Sequence, residues 1–149
     1  MKAIAFVLIA ITLAFPSFSQ SKAEKICGTY LVVEKKEVSK VKVTRLPNGN
    51  FEGKIIWMQN PNFEDGTPKT DVMNPDPSKR NTPADKIVLL HNFKYDADDD
   101  EWGGEIYNPV EGDMYKAYAK FETDKKLKVR GYVGLPIFGR SMYWIKLDE

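Results

Sequence analysis

From Thr29 to Leu147 the apolar residues of this chain recur at every second position far more often than at every third or fourth. Successive side chains of a strand point to opposite faces, so this period marks strands with one buried and one wet face. Thr29 to Glu34 is a β-branched and aromatic run, and in the next segment Val41 and Val43 alternate with Lys40, Lys42 and Thr44. Pro47-Asn48-Gly49-Asn50 reads as a turn, because Asn-Gly adopts positive φ at little cost. Phe51 to Met58 then returns, with Phe51, Ile55 and Trp57 expected on one face and Glu52 and Lys54 on the other. The same reading gives strands over Lys86 to Tyr95, Glu101 to Tyr107, Met114 to Phe121, Leu127 to Val133 and Ser141 to Leu147. No segment has the spacing of an amphipathic helix, and the short connections require antiparallel neighbours. About eight strands with open edges would invite aggregation, so the expected fold is all-β: a single antiparallel up-and-down meander closed into a barrel. One such domain is expected over residues 20–149.

The first residues carry a different signal. Met1-Lys2 precedes an apolar run from Ala3 to Phe15, and Ser17 and Ser19 place small residues where signal peptidase requires them. Residues 1–19 therefore read as a cleaved signal peptide, and the mature chain as periplasmic or secreted. The run is too short for a bilayer-spanning helix, and no later stretch is long and apolar enough to be one. Cys27 lacks the small and apolar residues that precede a lipidated cysteine, and alone it forms no intramolecular disulfide. It reads instead as a small apolar residue at the start of a strand. The chain has 22 basic and 21 acidic residues, and loss of Lys2 would balance them. That lacks the basic excess that dominates affinity for a phosphate backbone, so nucleic acid is not an expected partner.

Few residues suggest chemistry. His91 is the sole histidine, which excludes histidine-rich zinc sites; its parity with Ile87, Leu89 and Phe93 predicts a core or cavity-wall position. Asp96 to Asp100 imitates the start of a calcium loop, but Glu101 stands where that loop needs glycine and Tyr107 where it needs glutamate. It reads as a solvated hairpin tip. No phosphate loop or dinucleotide fingerprint is present, and neither a metal nor a cofactor is expected. Gln59 to Asp85 is the exception to the strand pattern, with five prolines and few apolar residues. A long irregular stretch inside a compact domain is often functional. Within it, Asp71, Asn74, Asp76 and Arg80 fit either a self-satisfying loop or a polar lid over a barrel mouth.

Four groups of residues together resemble an exported bacterial family catalogued as domain of unknown function 2147. They are Gly28-Thr29-Tyr30; Gly53-Lys54-Ile55-Ile56-Trp57 with Asp65-Gly66, Asp71, Asn74-Pro75-Asp76 and Arg80; Trp102-Gly103-Gly104-Glu105-Ile106-Tyr107-Asn108-Pro109 with Gly112 and Tyr115; and Arg130-Gly131-Tyr132-Val133-Gly134 with Pro136, Phe138 to Ser141 and Trp144. Tyr30 departs from the tryptophan usual at its position. The resemblance implies a lipocalin-like or fatty-acid-binding-like barrel and supplies no catalytic set.

These observations favour a barrel that binds a small, partly apolar or amphipathic molecule. Trp57, Trp102 and Trp144 would give apolar contact, while Asp71, Asn74, Asp76, Arg80, Tyr107 and Arg140 would orient polar groups. Two alternatives stand beside it: an envelope hydrolase using carboxylates such as Asp71 and Asp76, and an interaction module presenting an aromatic patch. Gly103-Gly104 is expected to mark a bulge or a close backbone approach.

Overall fold

The computed structural model describes residues 21–148; the signal-peptide reading of residues 1–19 lies outside them. Eight strands run in chain order: β1 Gly28–Glu34, β2 Glu37–Arg45, β3 Phe51–Met58, β4 Val88–Asp96, β5 Glu101–Asn108, β6 Asp113–Phe121, β7 Lys126–Tyr132 and β8 Gly139–Lys146. Every neighbouring pair is antiparallel, and β8 returns to β1, so the sheet closes into a meander barrel. The closing seam is short: Tyr30, Leu31 and Val32 stand opposite Lys146, Ile145 and Trp144. Closure removes the exposed edges that the alternating pattern would otherwise leave.

The interior is divided along the barrel axis. Inward positions are fully covered at the end where the chain enters β1 and open toward the other end. On β1, Tyr30 and Val32 are buried and Glu34 is exposed; on β8, Trp144 is buried, Met142 is half-buried and Arg140 is exposed. On β7, Leu127 and Val129 are buried and Gly131 is half-buried. The covered end is plugged by a 3-10 helix, Lys22–Ile26, that the hydrophobic period does not reveal. Ile26 is fully buried, Tyr30 Oη donates to its carbonyl at 2.7 Å, and Trp102 Nε1 donates to the Ala23 carbonyl at 2.9 Å. Ion pairs from Lys25 to Asp124 and from Arg45 to Glu24 hold the plug at its rim.

Three irregularities reverse the expected faces. Between β2 and β3, Lys40 pairs with Trp57 and Val41 with Ile55, so Ile56 is an extra residue. Trp57 therefore leaves the face of Phe51 and Ile55 and lies outside the barrel, 43% exposed, with Lys40 Nζ 5.4 Å from its ring centre. On β4, Val88 stands opposite Lys54 and Leu90 opposite Gly53, so Leu89 is an extra residue; further along, His91 pairs with Glu105 and Lys94 with Gly103, and Asn92 takes φ 54°. The core residues of β4 are consequently Leu90 and Phe93, and His91 faces outward beside Glu105 rather than into the core, its Nε2 3.0 Å from the Val88 carbonyl. A bulge inserts one residue, and every side chain beyond it changes face.

Candidate functional site

The polar segment between β3 and β4 ties down at the open end. Lys69 Nζ lies 3.1 Å from Glu37 Oε1 on β2, and Asp71 Oδ1 accepts from Tyr107 Oη on β5 at 2.7 Å. Asp71 is almost fully buried, and its second oxygen accepts from Asn74 Nδ2 at 2.7 Å. Arg80 Nε donates to the Asn74 carbonyl at 2.8 Å, and Asp76 caps the short helical turn Pro77–Lys79 through Ser78. The hydrogen bonds from Ser78 hold the Asp76 carboxyl below the usual carboxylate range. Gly112 completes the docking: at φ +76°, an added Cβ would sit 2.1 Å from the Met73 carbonyl. Asp71, Asn74, Asp76, Arg80 and Tyr107 are thus brought together as a staple that fastens the segment to the barrel. The two carboxylates are spent on different partners.

The Tyr107–Asp71 contact has a pH signature. Burial first, then the hydrogen bond to Asp71, pushes the Tyr107 hydroxyl up to about 12. An acid raised in the folded state contributes stability fully present below its unfolded value, about 10, and lost as pH rises through the folded value. Tyr30 is also raised, chiefly by burial, and acts in the same direction. The stability advantage of the wild type over Tyr107→Phe should therefore shrink between about pH 10 and pH 12. Denaturant midpoints across that range measure it; a constant advantage would contradict the assignment.

The remaining predicted residues separate. Trp102 packs at the plugged end, between the rings of Tyr95 and Phe121. Trp144 and Arg140 share β8 and face inward, Trp144 deep and Arg140 at the rim, where its guanidinium lies 3.2 Å from Glu34 Oε1. Around Trp144, Leu127, Val32, Ser39 and Met58 form one cross-strand row, and Met142 is the next inward residue toward the mouth. Among the described residues, two buried side-chain polar atoms lack a partner: Trp144 Nε1 and Glu37 Oε2. Nearly half of the Glu37 side chain is exposed, yet this oxygen is shut off from solvent. Both lie on the wall formed by β8, β1 and β2. Sequence reasoning missed Glu34, Glu37, Ser39, Met58 and Met142; the hairpin pairing of Glu34 with Glu37 was the available signal for the first two.

This wall is polar at its rim, with Trp144 fully buried beneath it, at the end of a closed eight-stranded meander opposite the plug. The architecture is that of a lipocalin-like barrel. The chain belongs to the family described as uncharacterized protein conserved in bacteria (DUF2147), whose model matches residues 28–146. Among solved structures it is similar to protein HP1028 from the human pathogen Helicobacter pylori, described as belonging to the lipocalin family, with 25% identity over 83% of each chain and a TM-score of 0.65. No curated protein matches the chain.

Proposed function

We propose that the protein is exported and that its barrel receives one small, partly apolar molecule through the end opposite the plug. The carrying observation is the indole N–H of Trp144, fully buried and without an acceptor. An unsatisfied buried donor costs about 1–3 kcal/mol, which a guest bearing an acceptor removes. A donor on the guest has a counterpart in Glu37 Oε2, and the Glu34–Arg140 pair offers both charges at the rim. Val32, Met58 and Met142 supply the apolar wall. The two methionines are unbranched and adaptable, so they can swing aside for a guest where β-branched residues would not. The lipocalin-like fold supports the same reading, and the apolar run Ala3 to Phe15 supports export. Asp71 and Asp76 are engaged in the staple, which favours binding over hydrolysis. Of the residues proposed from sequence, Trp144 and Arg140 would touch the guest. Trp57 would not, and the staple residues would hold the segment beside the mouth.

Native mass spectrometry tests this on protein recovered from a bacterial envelope. The expected spectrum carries one added small molecule that is lost on unfolding and is depleted in Trp144→Phe. A wild-type protein that runs only at its bare mass would count against the proposal.

A further inference from the structure

The loop between β7 and β8 exposes its apolar residues at the open end of the barrel. Val133, Leu135, Ile137 and Phe138 are each 63–76% exposed. Exposed apolar clusters of this kind mark interaction surfaces. The loop is also built to keep them outside. Arg130 Nε donates to the Pro136 carbonyl at 2.7 Å, its Nη2 to the Ile137 carbonyl at 3.3 Å and its Nη1 to Ser141 Oγ at 2.8 Å. The Val133 N–H donates to the Phe138 carbonyl at 3.1 Å, and the Phe138 N–H to the Leu135 carbonyl at 2.9 Å. A guanidinium and two backbone bonds thus fix the loop with its large side chains in solvent. The neighbouring turn adds Val110, 81% exposed, and a groove of about 390 Å³ lined by Asp113, Met114, Lys116, Tyr132 and Val133 lies where β6 begins and β7 ends.

The wall leading to this loop is basic. The outward positions of β6 and β7 hold Lys116, Lys120, Lys126, Lys128 and Arg130 and no acidic residue; Lys116 stands opposite Glu105 of β5 and Lys126 pairs with Glu122 at 2.9 Å, so Lys120 and Lys128 are the lysines of this wall with no carboxylate partner among the described residues. Between them stand Tyr118 and Tyr132, ring centres 6.5 Å apart. Tyr132 and Lys116 pair at the rim, and Lys128 lies four strand residues further from the loop, about 13 Å. An interfacial segment buries its apolar face about 5–10 Å into the headgroup and acyl boundary, with aromatic rings at headgroup level and cations against anionic lipid. Beyond the apolar tip come Tyr132 beside Lys116, then Tyr118 beside Arg130, then Lys128 beside Lys120.

We infer that the β7–β8 loop docks this barrel onto an anionic lipid surface, with the open end toward the membrane. The occupant is lipid rather than a second copy of the chain, because a copy would bring the same cations against these.

The test is vesicle flotation of the chain lacking residues 1–19, which keeps every strand of the barrel. On vesicles of phosphatidylethanolamine and phosphatidylglycerol the wild type should float. Leu135→Ser/Ile137→Ser/Phe138→Ser should lose roughly a hundredfold in partitioning, with its circular dichroism unchanged, since all three side chains are exposed. Lys116→Glu/Lys128→Glu should weaken binding to these vesicles and leave binding to pure phosphatidylcholine unchanged. In Phe138→Trp, the emission of the new indole should shift to the blue on vesicle addition. A wild type that stays unbound, a triple variant that floats like the wild type, or a loop-dependent dimer that ignores vesicles would each overturn the inference.

Discussion

Adding one methyl group at position 104 is expected to cost this barrel about 3 kcal/mol or more, a large share of the 5–15 kcal/mol that holds a domain folded. Gly104 lies on β5 opposite the bulge of β4, where Asn92 and Phe93 both face one residue. A Cβ there would sit 2.5 Å from Phe93 Cδ2, 2.6 Å from the His91 carbonyl oxygen and 2.9 Å from Phe93 Cα. Two of those three atoms are backbone, so no rotamer change relieves the clash. Phe93 is itself fully buried, and displacing it would open the core. Gly103 provides the control, since an added Cβ there meets nothing within 4 Å. Gly103→Ala should stay within about 0.5 kcal/mol of wild type, as surface substitutions usually do. Urea midpoints for the two single variants measure the contrast, and equal midpoints would show that the bulge does not press on position 104.

Trp102→Ala should lose about 3–5 kcal/mol, the usual cost of removing a large buried aromatic. Its ring packs against Tyr95 at 5.0 Å and edge-on to Phe121 at 5.7 Å between centroids, contacts that add to simple burial. The loss also has a location. The Trp102 indole holds the plug through the Ala23 carbonyl, so amide exchange in residues 22–26 should accelerate in Trp102→Ala beyond the rest of the barrel. Trp102→Phe keeps most of the ring contact but not the donor. It should free the plug at a smaller cost in global stability. Uniform acceleration across all strands would contradict a plug fastened at this point.

The legible part of the fold was the part governed by period two. Val41 and Val43 on β2, Ala117 and Ala119 on β6, and Leu127 and Val129 on β7 all face the core as their alternation indicates. The strand count and closure follow from the same pattern with the edge argument. What alternation cannot report is a residue inserted into it. Ile56, Leu89 and Asn92 carry no composition that marks a bulge, so the parity of Trp57 and of His91 was reversed. Gly104 did mark one, because only the absent side chain tolerates the crowded partner strand. The plug escaped notice because a 3-10 helix as short as Lys22–Ile26 has no room for a periodic face.

The site was legible in residue type and not in arrangement. Asp71, Asn74, Asp76 and Arg80 stood out as more polar than turns require, and they meet in the structure. Tyr107, through which they grip the barrel, lies 36 residues from Asp71 in the chain, and no local spacing announces that contact. Trp144 and Trp102 looked equivalent as inward tryptophans on different strands. Their donors distinguish them: the Trp102 N–H is satisfied by the plug, whereas that of Trp144 has no acceptor. A hydrogen-bond account of the folded chain is needed to see the difference.

The three indole N–H resonances of protein recovered from a bacterial envelope, compared before and after unfolding, extraction and refolding, address guest binding most directly. The Trp144 resonance, identified as the one absent from Trp144→Phe, should move when the extracted molecule is removed and return when the extract is added back. Those of Trp57, on the outer surface, and Trp102, held at the plug, should stay in place. Spectra that coincide before and after extraction, with Trp144 unmoved, would contradict a guest in the mouth of this barrel.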